Sequence, residues 1–226
     1  MSVLLLDAAH DRTHFACEEE SLTNYLKTQV SQDIKRKVSV CFVKTDAGNR
    51  VIGYYTLASE SLGRDSIPEV YRNQVPTSYN APVILLGRLA RDSSAKGTGL
   101  GEELLLDALE RAYTLSTVSI GAMAVVVDPI NAKATQFYEK YGFIKLPDSG
   151  RMFLPMKVIQ KLFTIWKKYQ VSSSKYQDCT KYQVQCTKYE IPASAGRRNT
   201  KFKLMSNAER WVKNVEVGKH AAMPAA

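Results

Sequence analysis

Apolar residues recur every three to four positions in residues 21–37 and again in residues 100–115. This spacing predicts two amphipathic helices. Their apolar faces consist of Leu22, Tyr25, Leu26, Val30 and Ile34 in the first helix, and of Leu100, Leu104, Leu105, Ala108, Leu109 and Ala112 in the second. A third helix is predicted over 129–141, with Asp128 as its cap and Pro129 at its first position.

Alternating or continuous apolar runs between these helices predict strands. Residues 38–44 and 51–58 flank the turn sequence DAGNR, which predicts a hairpin. Further strands are predicted at 3–6, 82–91, 120–128, 143–145 and 151–158, and a short helix at 66–76. A hairpin followed by strand, helix, strand, helix and strand is typical of a mixed α/β sheet with helices packed against it.

Positive charge is concentrated near the C-terminus of the 226-residue chain, whose formal net charge is +9. Residues 1–163 contain 19 Lys and Arg against 18 Asp and Glu, whereas residues 164–226 contain 12 against 4. The second region has few aliphatic residues and repeats KYQ and KYE triplets. We therefore predict one folded domain at 1–163 and a basic, disordered or poorly structured extension at 164–226.

The composition argues against membrane insertion, export and metal binding. No apolar run approaches the roughly 20 residues that a membrane span needs, and the N-terminal sequence MSVLLLDAAHD lacks the basic region of a signal peptide. The four cysteines form no CxxC pair, so neither a disulfide framework nor a zinc site is indicated. We expect a cytoplasmic protein without a metal.

Three glycines crowd the segment between an apolar strand and a predicted helix, at Gly97, Gly99 and Gly101. A glycine inside a helix costs about 1 kcal/mol relative to alanine, whereas bare backbone lets a phosphate approach the unpartnered N–H groups of a first helical turn. Lys96 adds a point charge. The spacing KGTGLG fits neither the Walker A loop nor the Rossmann loop. A glycine-rich turn without a ligand is the alternative.

The glycine loop resembles the acyl-CoA loop of the GNAT acetyltransferases, R/Q-x-x-G-x-G/A, with Lys96 in place of Arg or Gln. NAKATQFYEKYGF, residues 131–143, resembles the helix N-x-x-A-x-x-F-Y-x-x-x-G-F that follows later in the same family. The resemblance covers residues 1–163. It implies the GNAT fold, a mixed and mostly antiparallel central sheet flanked by helices, and it implies acetyl-CoA as the acetyl donor.

Four segments, VIGYYTLAS, LLGRLARD, FYEKYGF and FACEEESLTNYL, resemble the GNAT toxins of bacterial toxin–antitoxin modules. The resemblance implies a toxin that acetylates the α-amine of aminoacyl-tRNA and so inhibits translation. It also implies a ribbon–helix–helix antitoxin as partner and a homodimer. The chain departs from the subgroup at Glu18, where most members have glycine after the cysteine, and at Arg91, where RLAVD has valine.

The resemblance also implies the site. Tyr138 would be the general acid that protonates the leaving thiolate, and Tyr141 is the second candidate. The alternative is that Tyr138 is only an aromatic residue of the core. Backbone groups of Leu89 and Arg91 would hold the pantetheine arm. Asn131 would either contact the cofactor or stabilise the start of its helix. The pyrophosphate would be held by Lys96, Gly97, Thr98, Gly99, Leu100 and Gly101.

The motifs contain no histidine that could act as a general base toward the acceptor amine. The three histidines, His10, His14 and His220, lie outside the motifs, and an α-amine (pKa ~7.7–8) is partly neutral at physiological pH without a base, unlike lysine (~10.4). This favours an α-amine acceptor. A small-molecule or protein amine and a non-catalytic binding domain remain open. The candidate contacts to tRNA phosphates are Lys35, Arg36, Lys37 and Arg88. The alternative for the first three is that basic residues stabilise the C-terminus of a helix.

Overall fold

The computed structural model describes residues 3–147 and 149–164. These residues form a seven-stranded sheet with the strand order β1-β2-β3-β4-β5-β7-β6. The strands are β1 (Leu4–Leu5), β2 (Val40–Thr45), β3 (Val51–Leu62), β4 (Ala81–Arg91), β5 (Ala124–Val127), β6 (Ile144–Lys145) and β7 (Met152–Pro155). The helices are α1 (Glu20–Asn24), α2 (Val30–Lys35), α3 (Glu69–Arg72), α4 (Leu100–Val118), α5 (Ala132–Lys140) and α6 (residues 156–164).

The sheet is mixed and mostly antiparallel, as predicted. Strands β4 and β5 are the one parallel pair of the described sheet, and α4 connects them. The predicted hairpin is confirmed as β2 and β3, which pair from Val40 and Leu57 to Thr45 and Val51. Because β4 pairs with β3 on one side and β5 on the other, it lies at the centre of the fold.

The helix predicted over 100–115 is confirmed, since all six apolar positions of its predicted face are buried in α4. The helix predicted over 21–37 is present from residue 20 to residue 35, but it is not a regular α-helix throughout. A π-helical turn, Tyr25–Gln29, separates α1 from α2, and the Val30 amide donates to the Tyr25 carbonyl. This wider turn lets Tyr25, Leu26 and Val30 all be buried against the sheet.

Four predicted boundaries are corrected. The cap of α5 is Asn131, because Asp128 instead accepts from Arg151 at 2.6 Å. The last strand ends at Pro155, where the chain turns into α6 and the Met156 amide donates to the Met123 carbonyl. Strand β5 spans only Ala124–Val127, and the helix predicted over 66–76 shrinks to α3. The basic extension lies outside the described residues from position 165 onward.

The two faces of the sheet are covered differently. One face packs against α4, α5 and α6 in a single large cluster that contains Leu104, Leu109, Tyr138 and Ile159. The opposite face carries two separate clusters. One joins α1 and α2 to β2 and β3 through residues such as Leu26, and the other covers β4, β5 and β7.

Candidate active site

The parallel strands β4 and β5 separate part-way along their length. Their pairing ends at Leu86 and Val127, whereas β4 continues alongside β3 as far as Arg91. The register with β3 shifts at this point, because Thr56 pairs with Arg88 and Leu57 with Leu86, which leaves Gly87 as a bulge. Bulges bend a strand and often lie beside active sites. The result is a gap between the second half of β4 and the chain that follows β5.

The predicted cofactor strand turns its backbone toward this gap. The Asp92 amide donates to the Ile52 carbonyl of the neighbouring β3 side. Since backbone groups alternate in direction along an antiparallel strand, those of Leu89 and Arg91 point away from β3 and into the gap. Within the described residues no strand pairs with them there. An extended ligand with amide groups, such as a pantetheine arm, fits this edge.

The glycine loop opens beside the gap with the geometry that an anion needs. Gly97 and Gly99 have φ of 77° and 80°, which favours glycine. The first intrahelical bond of α4 runs from the Glu103 amide to the Gly99 carbonyl, so the amides just before Glu103 have no partner inside the helix. A Cβ added at Gly97 or Gly101 would meet nothing within 4 Å. The loop therefore leaves space that a phosphate can fill.

Asp92 fixes the start of the loop. One of its carboxylate oxygens accepts from the Ser94 amide at 2.9 Å and the Ser94 hydroxyl at 2.6 Å, and the other accepts from the Ala16 amide at 2.8 Å. Burial alone would raise the pKa of Asp92, but these hydrogen bonds outweigh burial and lower it. The carboxylate therefore joins the glycine loop to the N-terminal segment, a role that the sequence analysis missed.

Tyr138 lies on α5 with its ring in the main core cluster, 5.3 Å from the Phe143 ring. The residue is 8% exposed, and burial alone raises the pKa of its phenol. Among the described residues its hydroxyl has no hydrogen-bond partner. The phenol is thus held protonated and its donor is not used by the fold. Tyr141, three residues on, is buried too.

Around the glycine loop the chain gathers three cations and one carboxylate. Glu18 pairs with the Lys96 ammonium at 2.9 Å, the Arg91 guanidinium at 3.5 Å and the Lys133 ammonium at 2.6 Å. In the sequence, Glu18 was visible as a departure from the related toxins, whereas nothing pointed to Lys133. No sequence spacing could have identified Lys133, because 115 residues separate it from Glu18.

Asn131 caps α5, since its side-chain oxygen accepts from the Ala134 amide at 2.9 Å. Its side-chain nitrogen donates to Glu19 at 2.6 Å. The structure thus shows the stabilising role that was one of its two predicted roles, while a contact to the cofactor stays a prediction.

The predicted tRNA contacts lie at the end of α2 and on β4. Lys35, Arg36 and Lys37 are exposed at the end of that helix. Arg88 is half-buried, with its guanidinium 3.5 Å from the centre of the Tyr25 ring. Their role toward RNA stays a prediction.

Within 3–147 and 149–164, no three His, Cys, Asp or Glu side chains are arranged to hold a metal ion. In the same part of the chain, every helix is too short or too polar to cross a membrane.

Comparison with known families shows which family the chain belongs to. The model of the acetyltransferase (GNAT) family matches residues 6–143, which include the bulged strand, the glycine loop and α5. The chain belongs to the GNAT family. As the motifs implied, it is an acetyl-CoA-dependent acetyltransferase with the GNAT fold.

Its relatives include toxins. A tRNA-acetylating toxin of Mycobacterium tuberculosis (strain ATCC 25618 / H37Rv) is 38% identical over 150 residues, which cover 66% of this chain and 88% of that protein. The probable toxin TacT of Sinorhizobium fredii (strain NBRC 101917 / NGR234) is 30% identical over 162 residues, covering 68% of this chain and 89% of that protein.

Solved structures agree with this placement. AtaT complexed with acetyl-methionyl-tRNAfMet superimposes with a TM-score of 0.66 at 31% identity and covers 72% of this chain and 98% of that one. A Tyr→Phe mutant of KacT gives the same TM-score and identity and covers 71% and 98%. AtaT has also been solved with the C-terminus of its antitoxin AtaR and acetyl-CoA, with a TM-score of 0.61, 30% identity and coverage of 72% and 97%.

The residues at the gap suit the acetyl donor of the GNAT family. The backbone of Leu89 and Arg91 faces the space where a pantetheine arm would extend, and the glycine loop leaves room for a pyrophosphate. The assignment of these residues, and of Thr98 and Leu100 in the loop, remains a prediction. Thr98 is itself tied to the loop, since its hydroxyl donates to the Ala95 carbonyl at 2.8 Å.

Proposed function

We propose that this chain is a toxin that transfers an acetyl group from acetyl-CoA to the α-amino group of aminoacyl-tRNA and thereby blocks translation. One observation carries the proposal. The similarity to the tRNA-acetylating toxin spans 88% of that protein, so it extends over nearly all of its length. The complex of AtaT with acetyl-methionyl-tRNAfMet adds a related site seen with an acetylated aminoacyl-tRNA.

The chain supplies the groups that the transfer needs. Bound acetyl-CoA supplies the thioester, whose carbonyl carbon forms a bond to the amine nitrogen and loses its bond to sulfur. Tyr138 donates its phenolic proton to the departing sulfur, a step that typically contributes 10²–10⁴-fold. A backbone N–H of β4, at Leu89 or Arg91, stabilises the developing oxyanion. An α-amine is partly neutral near physiological pH, so it attacks without a dedicated base. Its nitrogen then gives one proton to water, and water returns one proton to the Tyr138 phenolate.

The surface around α2 is the proposed tRNA contact. A folded domain with a net charge of +1 over residues 1–163 binds RNA only where its cations are gathered. Lys35, Arg36 and Lys37 form such a group, and Arg88 extends it toward the gap. Lys and Arg at this place would neutralise backbone phosphates and make binding depend on salt.

The partners follow from the same relatives. KacT and AtaT have been solved as toxin–antitoxin complexes, some of them with DNA. We propose a ribbon–helix–helix antitoxin for this chain and a homodimer of the toxin. We also propose that the chain acts in the cytoplasm, where aminoacyl-tRNA is used.

The test is transfer of labelled acetyl from acetyl-CoA to a total tRNA pool. We expect label on aminoacylated tRNA and none on the same pool after mild alkaline deacylation. Induced expression of the chain in cells should stop growth and protein synthesis. If acetyl-CoA binds but no label reaches charged tRNA, the tRNA proposal is wrong and the acceptor is another amine.

A further inference from the structure

The segment Cys17–Glu19, here called the strap, reaches across the gap from the glycine loop to α5. Its base is fixed, because the Ala16 amide donates to Asp92 and the Ala16 carbonyl accepts from the Ser93 amide, both at 2.8 Å. The Cys17 amide donates to the Thr23 hydroxyl at 3.0 Å. The two glutamates therefore project from an anchored turn.

The tip of the strap is tied to both walls of the gap. Glu18 bridges Lys96, on the loop side, and Lys133, on α5, at 2.9 and 2.6 Å. Glu19 accepts from the side-chain nitrogen of Asn131 at 2.6 Å. Glu18 thus connects the glycine loop to α5, and Glu19 adds a second contact at the start of α5.

A phosphate matches this position better than a carboxylate does. Arg91, Lys96 and Lys133 converge on Glu18 beside the open space over Gly97 and Gly101. Hydrogen bonds from Lys133 and Lys96 lower the pKa of Glu18 to about 2, so it is ionised at neutral pH. One carboxylate neutralises only part of three cations, whereas a pyrophosphate carries more charge in the same space.

We propose that Glu18 competes with the phosphate groups of CoA for Lys96, Lys133 and Arg91, and that the strap must release these cations as the cofactor binds. The inference rests on acetyl-CoA being the donor. Lys133 then becomes a ligand of the cofactor phosphates, and Glu18 lowers the affinity of the site for its cofactor. Exposed ion pairs contribute little stability, so a more highly charged phosphate can displace them.

Glu18 stands where most of the toxins that the sequence resembles have glycine after the cysteine, and glycine carries no carboxylate. Glu20 is a nearby acidic residue that serves as the comparison. It is exposed at the start of α1, and the ion pairs of Arg91, Lys96 and Lys133 are made with Glu18.

The test is isothermal titration of CoA into the full chain at low salt, comparing wild type, Glu18→Gln and Glu20→Gln. Both variants remove one negative charge from an exposed position, but only Glu18→Gln removes the carboxylate that contacts the three cations. We expect Glu18→Gln to lower the Kd about three- to tenfold, and Glu20→Gln to change it much less. The difference should shrink near about 0.5 M salt, because exposed charges are screened.

Two controls sharpen the result. Lys133→Gln should weaken CoA binding, because it removes a phosphate ligand. Pantetheine lacks phosphates, so its binding should be the same in wild type and Glu18→Gln. Melting curves of the variants check that each is folded.

The opposite sign would overturn the inference. If Glu18→Gln weakens CoA binding, Glu18 positions the cations for the cofactor and does not compete with it. Equal Kd values for the Glu18→Gln and Glu20→Gln variants would also overturn it. A wild-type chain that binds no CoA would contradict the acetyltransferase function itself, whereas wild type that acetylates tRNA with no Glu18 effect contradicts only this inference.

Discussion

The two walls of the gap between β4 and β5 use different parts of the chain. The β4 wall works through backbone, with the amides of Leu89 and Arg91 facing the gap and the bare loop after Asp92. On the α5 wall the proposed functional groups are side chains, namely the phenol of Tyr138, the amide of Asn131 and the ammonium of Lys133. The backbone wall should therefore tolerate many substitutions but few at its glycines, whereas the α5 wall should depend on single functional groups.

The sharpest test of the α5 wall is Tyr138→Phe. The variant keeps the ring and its contacts with Phe137 and Phe143 but loses the proton donor. We expect kcat for acetyl transfer to fall by about 10²–10⁴-fold while the Kd for acetyl-CoA stays the same. Tyr113→Phe, a partly buried tyrosine of α4, is the matched control. A larger loss with Tyr141→Phe would assign the acid to Tyr141 instead.

The anchor of the β4 wall is tested by Asp92→Asn. Asparagine can accept at only one of the two oxygen positions that Ser94 and Ala16 use, so one of these donors loses its acceptor and the buried amide group gains an unpaired N–H. We expect the free energy of unfolding to fall by about 1–3 kcal/mol. Urea unfolding measures it, with the exposed Asp65→Asn as control, and an unchanged midpoint would show that Asp92 does not hold the loop.

The same anchor predicts a dependence on pH. The folded state lowers the pKa of Asp92, so its carboxylate stabilises the fold above the ordinary aspartate pKa, and this contribution is lost as the pH falls through the lower folded value. Between pH 7 and pH 3, wild type should lose more stability than Asp92→Asn. Parallel slopes for the two proteins would contradict the argument.

The basic residues at the end of α2 are the part of the proposed RNA surface outside both walls, and salt tests them. Lys35→Gln combined with Lys37→Gln should reduce the dependence of tRNA affinity on salt, by up to about one unit of log–log slope for each lost phosphate contact. Lys157→Gln combined with Lys161→Gln removes the same charge from exposed positions of α6. Equal slopes for the two double variants would place the tRNA elsewhere.

The smallest effect is expected from Gly101→Ala, which separates cofactor binding from folding in the glycine loop. Gly101 is helical and a Cβ there meets nothing within 4 Å. Gly101→Ala should raise the free energy of unfolding by up to about 1 kcal/mol and yet weaken acetyl-CoA binding, because the methyl group takes space meant for a phosphate. Gly121→Ala, equally unhindered but away from the loop, should leave binding unchanged. Unchanged CoA affinity in Gly101→Ala would mean that the loop does not cradle the phosphates.

The local features of both walls could be predicted from sequence because each depends on neighbours in the chain. The apolar face of α4 follows from helical spacing, and the positive φ values at Gly97 and Gly99 follow from glycine before a helix. The cap of α5 was misplaced, since Asp128 is equally suited to capping by its chemistry. Its use by Arg151, 23 residues later, could not be predicted from local pattern.

The sequence by itself determined the secondary-structure order, the glycine loop and the tyrosine of α5, because these depend on spacing within one element. Only the tertiary structure decided that β4 separates from β5 at Gly87, because the bulge there depends on how β4 pairs with β3 and not on β4 alone. It also decided that Glu18 meets Lys133 across 115 residues. Charges attract at whatever places the fold brings them together, and no spacing along the chain encodes that meeting.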